Sequence, residues 1–483
     1  KMMGRFIAQI LSLEAIFMLP ALTISVHLGE HPAIRGFAAT IVILLAISAA
    51  LRMLCRGAKS NFYATDGMVC VALSWIILSL TGCLPFVISR EIPKFIDALF
   101  EIVSGFTTTG ASILPAVENL SKGILYWRSF SHWVGGMGVL VFLLAIVPSG
   151  DRGKGFTMHL LRAESPGPSV GKLVPRMRKT AAILYILYII LTVADIVFLL
   201  LGGMPAFEAV CNAFGTAGTG GFGVRNDSFA SYSPYLQNVT TVFMFLFGVN
   251  FSCYYLLLIG QVRSVLKDEE LRAYFGIAFV SIALIAWNIR SLYGTLGETL
   301  RHAAFQVSSI MTTSGFATTD FDLWPSFSKT ILLVLMVIGA SAGSTGGGIK
   351  VARVLLLFKS LRRSFLQMLH PSRVQLVRNN DQVVDEKVVE STNAYLIAYV
   401  FILFLSFLVL SLDGFSTGTN FSAVLCCFNN IGPGLEAVGP TCNFSGFSVL
   451  SKLVLITDML LGRLEIFPIL CLLSRHTWRR QVK

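Results

Sequence analysis

Phe106-Thr107-Thr108-Thr109-Gly110-Ala111-Ser112 is the stretch from which the rest of this 483-residue chain can be read. An apolar segment too short to cross a bilayer, Phe95 to Val103, precedes it, and one that could cross, Trp127 to Val147, follows. A hydroxyl-rich bend centred on glycine at that place leaves backbone carbonyls without helical partners. In a membrane such groups persist only where they line a wet cavity or coordinate something, and a ring of carbonyls coordinates a dehydrating cation well. Three later stretches repeat the pattern: Thr219-Gly220-Gly221-Phe222, Thr312-Thr313-Ser314-Gly315-Phe316 and Asn429-Asn430-Ile431-Gly432-Pro433-Gly434. We read the four as the walls of one ion filter, with Thr108, Thr109, Gly110, Thr219, Gly220, Ser314, Gly315, Ile431 and Gly432 binding the ion.

The whole chain agrees with a membrane setting. Hydrophobic residues make up 54%, charged residues 13%, and the mean hydropathy is +0.73, far from a soluble composition. There is room for about ten spanning helices of ~20 residues each, so the expected fold is an all-α polytopic membrane protein. Lys1-Met2-Met3 runs straight into an apolar stretch that contains Glu14 and lacks a small-residue cleavage site, which reads as an anchor and not a removed signal. A net charge of +12 would suggest nucleic acid in a soluble protein. Here the cations gather in connecting loops, where orientation explains them, and nucleic acid is not an expected partner. One cluster is Arg152, Lys154, Arg162, Lys172, Arg176, Arg178 and Lys179; a second is Lys350, Arg353, Lys359, Arg362, Arg363, Arg373, Arg378 and Lys387; the tail adds Arg475, Arg479, Arg480 and Lys483. With both termini cytoplasmic, all of these lie inside, and the opposite loops hold sparser cations such as Arg35, Arg90 and Arg225. The nine cysteines are scattered, mostly in apolar runs, without zinc spacing. They are assigned neither disulfides nor metal.

Two spans, about Phe6 to Val26 and Phe37 to Met53, come first and have no bend after them. A pattern of span, half-length segment, glycine bend and returning span then occurs four times, with glycines at 110, 220, 315 and 432. A period near a hundred residues is an internal repeat. It divides the chain into a two-helix front (1–60) and pore repeats at 61–150, 151–265, 266–365 and 366–483. The returning spans are expected at Trp127 to Val147, Val239 to Ile259, Thr330 onward and Val449 to Cys471. Asp97 and Glu208 stand at the starts of the first two half-segments, where an acid suits the positive end of a helix dipole. The opposite, negative ends then converge on the bends and favour a cation. Left-handed or strained torsions are needed to turn successive carbonyls one way, which glycine allows. Potassium fits a roughly eight-oxygen carbonyl cage, placed here at Thr109, Gly110, Thr219, Gly220, Ser314, Gly315, Ile431 and Gly432. No acid ring suited to calcium or magnesium accompanies the bends.

A second landmark, Gly339 to Lys350, interrupts the third returning span. It lacks the Gly-Lys-Ser/Thr and the preceding strand of a phosphate loop. Mid-helix glycines cost about 1 kcal/mol each, so the run is expected to unwind. Gly343, Ser344, Thr345, Gly346, Gly347 and Gly348 are read as a gate on the cytoplasmic side of the pore, in preference to a packing kink. The last span carries Asp458, Arg463 and Glu465, and a cation at such depth must be paired or wet. Its spacing leaves two readings open: a structural ion pair with another helix, or a charge in the pore below the filter. Glu14 and Asp195 are read as buried acids held by neighbouring helices.

These features together resemble the bacterial potassium-uptake superfamily of the TrkH/TrkG type and, more distantly, KtrB. The similarity covers nearly the whole chain, and its most specific pieces are Thr107 to Ser112, Ser131-His132-Trp133-Val134-Gly135-Gly136-Met137-Gly138, Asn429 to Gly434 and Leu460-Leu461-Gly462-Arg463-Leu464-Glu465. The front pair of helices favours the Trk type. The resemblance implies a potassium channel architecture folded from one chain, four pseudo-equivalent units around one pore, and a homodimer with one pore per protomer. It also implies a cytosolic, nucleotide-binding regulatory ring of the TrkA kind, a surrounding lipid bilayer of the bacterial inner membrane, K+ as the transported ion and no organic cofactor. The glycine-rich interruption corresponds to the family's gating loop, and Arg463 to its basic residue beneath the filter. In related plant transporters, serine at the first filter glycine goes with sodium permeation; Gly110 is intact. Two competing classes are a secondary symporter coupling K+ entry to H+ or Na+ through broken midplane helices, and the potassium-translocating subunit of an ATP-driven pump. The chain carries no phosphorylatable pump motif, and an enzymatic role is not expected.

Overall fold

A computed structural model of the chain describes residues 2–56, 64–138, 177–371, 375–380, 382–475 and 477. The later part of the predicted Trp127 to Val147 span, the basic residues Arg152 to Arg176, Arg373, and the tail cations Arg479, Arg480 and Lys483 lie outside the described residues.

Helix α1 (Met2–Phe17) passes through a one-residue break into α2 (Leu19–Leu28), and α3 (His31–Leu54) returns beside it. Pro20 lacks the N–H that would continue the ladder, which accounts for the break. The Ser48 hydroxyl donates to the Ala8 carbonyl at 2.7 Å and fastens α3 to α1. Behind this pair come α4 (Ala64–Gly82), α5 (Leu84–Ile88), α6 (Phe95–Phe106) and α7 (Lys122–Gly136). The Glu30 carboxylate accepts from the Lys122 and Gly123 N–H groups at 2.7 and 3.1 Å, satisfying orphan donors at the start of α7. Glu14 sits buried on α1 and accepts from the Thr81 hydroxyl at 2.7 Å, in keeping with a carboxyl held by its neighbour.

The chain continues with α8 (Met177–Leu201), α9 (Ala206–Gly218), α10 (Pro234–Gly248), α11 (Phe251–Leu258) and α12 (Val262–Lys267). Next are α13 (Glu269–Ile289), α14 (Leu296–Met311), α15 (Ser326–Val337) and α16 (Val351–Leu369). A small hairpin, β1 (Arg378–Asn379) with β2 (Gln382–Val383), precedes α17 (Glu386–Leu410), α18 (Thr417–Phe428), α19 (Val449–Arg463) and α20 (Phe467–Leu473). Among the described residues, six helical stretches are long and apolar enough to cross a membrane: Met2–Leu28, His31–Leu54, Asp66–Ile88, Ala181–Leu201, Glu269–Ile289 and Glu386–Asp413. The chain is a multi-pass membrane protein. The short helices α6, α9, α14 and α18 have 12 to 16 residues. At 1.5 Å per residue they rise about 18–24 Å, less than a ~30 Å hydrocarbon core. Their C-terminal turns are nevertheless buried, which places those ends in the middle of the protein.

The returning helices depart from expectation. Only the third was expected to break, yet α10 and α11 meet at 89°, and α19 stops at Arg463 before α20 resumes at Phe467. At the first break, the Asn250 side chain accepts from the Ser252 N–H at 2.9 Å and starts a new helix. At the second, Glu465 and Ile466 are left-handed (φ +55° and +68°), and Pro468 follows in the first turn of α20. Helix α7 ends at Gly136, with Gly138 left-handed just beyond. Apolar runs of span length hid these interruptions, because each is made by a single cap or torsion and not by a polar stretch.

Candidate functional site

The four short helices end in one and the same way. The N–H groups of Thr109, Gly220, Ser314 and Ile431 reach back five residues to the carbonyls of Ser104, Gly215, Ser309 and Cys426, at 2.8, 2.9, 2.8 and 2.9 Å. The residue before each donor is left-handed without being glycine: Thr108 (φ +56°), Thr219 (+54°), Thr313 (+61°) and Asn430 (+56°). This is a Schellman-type end, in which the chain leaves the helix axis sharply. The residue after each donor is a left-handed glycine: Gly110 (+81°), Gly221 (+76°), Gly315 (+73°) and Gly432 (+96°).

What those glycines face closes a ring. A Cβ on Gly110 would strike the Gly220 carbonyl oxygen, one on Gly221 the Ser314 oxygen, and one on Gly315 the Ile431 oxygen. One on Gly432 would lie 2.8 Å from the Thr109 oxygen, which returns to the first strand. The carbonyls of Thr109, Gly220, Ser314 and Ile431 accept no hydrogen bond from any described residue. Gly110, Gly221, Gly315 and Gly432 line a single cavity of about 180 Å3. Unclaimed carbonyls of this kind, gathered in one ring, can replace a cation's hydration shell.

The second register therefore moves by one residue. Gly220 was expected to match Gly110, but the structure matches Gly221 to it, and Gly220 to Thr109. Thr219 takes the place of Thr108, and Thr313 and Asn430 fill that place in the other two strands, although neither was expected. A spacing of Thr or Asn two residues before glycine, at 108/110, 219/221, 313/315 and 430/432, was present in the sequence and would have set the register. The adjacent pair Gly220-Gly221 made the wrong glycine equally eligible.

Struts behind the ring hold the strands. The Asn430 amide donates to the Thr109 hydroxyl and to the Met459 carbonyl, both at 2.9 Å, joining the fourth strand to the first. His132 lies between the end of α6 and the second strand. Its Nε2 accepts from the Phe222 N–H at 3.2 Å, so Nδ1 carries the proton and donates to the Gly105 carbonyl at 2.8 Å. Glu101 and Arg128 form a buried ion pair at 2.6 Å. The Glu101 carboxylate also accepts from Ile113 N–H at 3.0 Å and from the Ser112 hydroxyl at 2.9 Å, and Arg128 donates to the Gly223 carbonyl at 3.0 Å. One ion pair thus anchors the exits of two strands. Sequence reading did not find it, since its members sit on different helices inside ordinary segments. Glu101→Gln is expected to cost about 3–5 kcal/mol, because it strands a buried guanidinium. A fall in the thermal midpoint of the solubilised protein reads it, with recovery on adding Arg128→Met; an unshifted midpoint in the single variant removes this strut.

At the outer ends of the short helices, the expected acids are engaged. Asp97 pairs with Lys452 at 2.7 Å, and Glu208 pairs with Arg225 at 3.0 Å. For α14, Thr295 caps the Glu298 N–H at 3.2 Å. The fourth segment has no acid of its own, and Glu436 supplies one from beyond the bend, accepting from Ser416 and, at 2.9 Å, from Thr419 at the start of α18. Hydrogen bonds from Ser416 and then Thr419 hold the Glu436 carboxyl below its ordinary value of 4.5. A depressed folded value stabilises the protein above the unfolded value and is lost as pH falls through the folded one. Glu436→Gln should therefore lower stability in the neutral region, where the ionised carboxylate contributes, and flatten the acid limb below about pH 4.5 so that variant and parent converge there; an identical profile would remove this assignment.

On the other side of the ring lies the glycine-rich interruption. Residues 338–350 leave the helix after Val337, and a parallel bridge between Ile338 and Ile349 closes the excursion at its base. The Gly347 N–H donates to the Thr313 hydroxyl at 2.7 Å, and a Cβ on Gly346 would sit 3.0 Å from the Thr312 carbonyl. The loop tip is thus directly against the ring's third strand. Lys350 turns its ammonium back onto the Gly346 and Gly347 carbonyls. Gly343 is left-handed, and its carbonyl accepts from the Phe251 N–H at 3.1 Å. Ser344 donates to the Ser341 carbonyl at 2.6 Å, and Gly348 is also left-handed. Arg463 joins these parts: its guanidinium donates to the Thr345 carbonyl at 3.0 Å, to the Gly136 carbonyl at 2.7 Å, to the Gly135 carbonyl and, at 3.3 Å, to the Thr108 hydroxyl. Glu465 pairs with Arg353, and Asp458 accepts from Ser406 at 2.8 Å. These contacts set the Arg463 guanidinium between the loop, the end of α7 and the strand that begins at Thr108.

A family model described as TrkH, a cation transport protein, matches residues 33–478. The chain is 36% identical over 452 residues to the Trk system potassium uptake protein TrkH of Salmonella typhimurium, covering 92% of each. It is 33% identical over 474 residues to the Trk system potassium uptake protein TrkG of Escherichia coli, covering 97% of this chain and 96% of that one. The crystal structure of the potassium transporter TrkH from Vibrio parahaemolyticus matches with a TM-score of 0.88 at 32% identity over 99% of both chains.

Proposed function

The chain belongs to the TrkH family of cation transport proteins, and from that premise we propose that it takes up K+ through the ring of Thr109, Gly220, Ser314 and Ile431 carbonyls. The work is that of a transporter: it binds and releases an ion and breaks no bond. One observation carries the reading, namely four buried carbonyls from four parts of one chain, each set against the glycine of a neighbouring strand and claimed by no described donor. Removing water from K+ costs less than removing it from smaller cations, and cage size or carbonyl field strength then sets the preference. Neighbouring oxygens of the same four strands, at Thr108, Gly110, Thr219, Gly221, Gly315 and Gly432, complete the path. K+ is cargo, with Rb+ as a close substitute and Na+ a poor one, and no organic cofactor is called for.

The loop 343–348 is the gate in this reading, and Arg463 holds it against the filter. The protein works as a homodimer in the bacterial inner membrane with both termini inside, and a cytosolic nucleotide-binding ring of the TrkA kind controls opening. The concentration of Lys and Arg in the inward loops supports that orientation. Expression in a strain without its own K+ uptake tests the whole. Growth at low K+ should return, Rb+ should compete and Na+ should not, with unitary flux far above carrier rates. Slow saturating exchange at a fixed ratio to H+ or Na+ would replace the channel by a symporter; absence of K+ uptake overturns both.

A further inference from the structure

Outside the ring and its struts, one buried acid touches the interruption at both ends. Glu270 stands in the first turn of α13, and a single carboxylate oxygen accepts from the Ala342 N–H at 2.5 Å and from the Ala352 N–H at 3.3 Å. Ala342 lies where the loop departs and Ala352 in the first turn of α16, where the loop has returned. Both N–H groups would otherwise be orphans, the second because it opens a helix. Glu270 is buried, so water is a poor substitute.

The turn that carries Glu270 is itself tied to the polar face. Asp268 caps Leu271 at 2.8 Å and accepts from the Asn380 amide at 2.8 Å, and the Glu269 N–H donates to the Asn380 side-chain oxygen at 2.9 Å. Glu269 also pairs with Lys359 of α16, and the Lys359 ammonium donates to the Arg378 carbonyl at 2.8 Å. Leu356, Val377 and Val389 form a small core that joins α16, the hairpin and α17. These bonds tie the hairpin, the start of α13 and the return of the loop to one another.

We propose that Glu270 is the latch of the loop: a positioning residue that pins both of its ends to α13 and so holds the pore shut, with the hairpin 378–383 as the handle through which the polar face can release it. The proposal rests on the reading of 343–348 as a gate. Opening requires at least one of the two N–H groups to leave the carboxylate, which loses charge-assisted hydrogen bonds in a buried setting. A neutral amide keeps an acceptor in place and weakens it.

Three forms of the full-length protein in liposomes, each without any regulator, test this by Rb+ flux: the parent, Glu270→Gln, and a deletion of residues 343–348. The deletion should be leaky, and Glu270→Gln should raise basal flux roughly tenfold, about the value of one charged hydrogen bond, with K+ over Na+ preference unchanged. A cysteine placed at buried Ala342 should also react faster with a thiol reagent in the Glu270→Gln background, while buried Cys426 and Cys427 stay unreacted. Asn380→Ala should give a smaller rise. A leaky deletion beside a Glu270→Gln variant as closed as the parent overturns the latch and leaves the gate standing. A deletion with parental flux overturns the gate reading, and the latch with it. Reaction of Cys426 and Cys427 together with position 342 marks general loosening and also overturns the latch.

Discussion

Gly110→Ser should reduce the preference for K+ over Na+ at least tenfold, read as the ratio of the two ions' ability to inhibit Rb+ uptake. Two costs act together. The new side chain must sit at φ +81°, where an L-residue costs about 1–2 kcal/mol. Its Cβ would also meet the Gly220 carbonyl oxygen, which belongs to the ring itself, so relief of the clash displaces one coordinating oxygen. Since about 1.4 kcal/mol is already tenfold, a shift of one oxygen suffices. The same change at Gly221 should act alike, because its Cβ faces the Ser314 oxygen. At Gly220 the added atom would meet the His132 ring, so a substitution there should lower thermal stability more than selectivity. Gly276, with open space around it, is the control. Normal expression with unchanged selectivity for both Gly110→Ser and Gly221→Ser would sink the assignment of the ring.

Arg463→Ala should raise regulator-free Rb+ flux by about tenfold or more while leaving the protein folded. Arg463 connects the loop at Thr345 to the end of α7 and to the first filter strand. Loss of one charged hydrogen bond removes about 1.5–3 kcal/mol from the held arrangement. In the proposed reading, the change also takes a positive charge away from the path of the cation. Arg463→Lys keeps the charge but not the planar fork that reaches several carbonyls, so its flux should fall between the two. Collapse of thermal stability with no rise in flux would make the residue a structural tie and nothing more.

The bends were readable in the sequence because their composition conflicts with their surroundings: Thr107 to Gly110 is hydroxylated and flexible where an apolar helix would be ordinary. The unwinding at 338–350 was readable for the same reason, with five glycines from Gly339 to Gly348 excluded from stable helix by their entropy. Features made by a pairing across the fold were not readable. Glu101 finds Arg128 on another helix, Glu436 serves a helix that starts before it in the chain, and Glu270 reaches a loop some seventy residues on. Composition carries no trace of such meetings. The breaks at Asn250 and Ile466 escaped for a different reason, since one cap or one torsion ends a helix without altering the apolar run around it.

The ring closes within one polypeptide, each glycine facing an oxygen of the next strand and the last facing the first. A symmetric assembly of four identical subunits alters all four quadrants with any one codon. Here a codon alters a quarter, and the remaining three stay as they were. Selection can accordingly adjust this opening in small, independent steps, and unequal sides such as Gly220-Gly221 against Ile431-Gly432 are what such a history leaves behind.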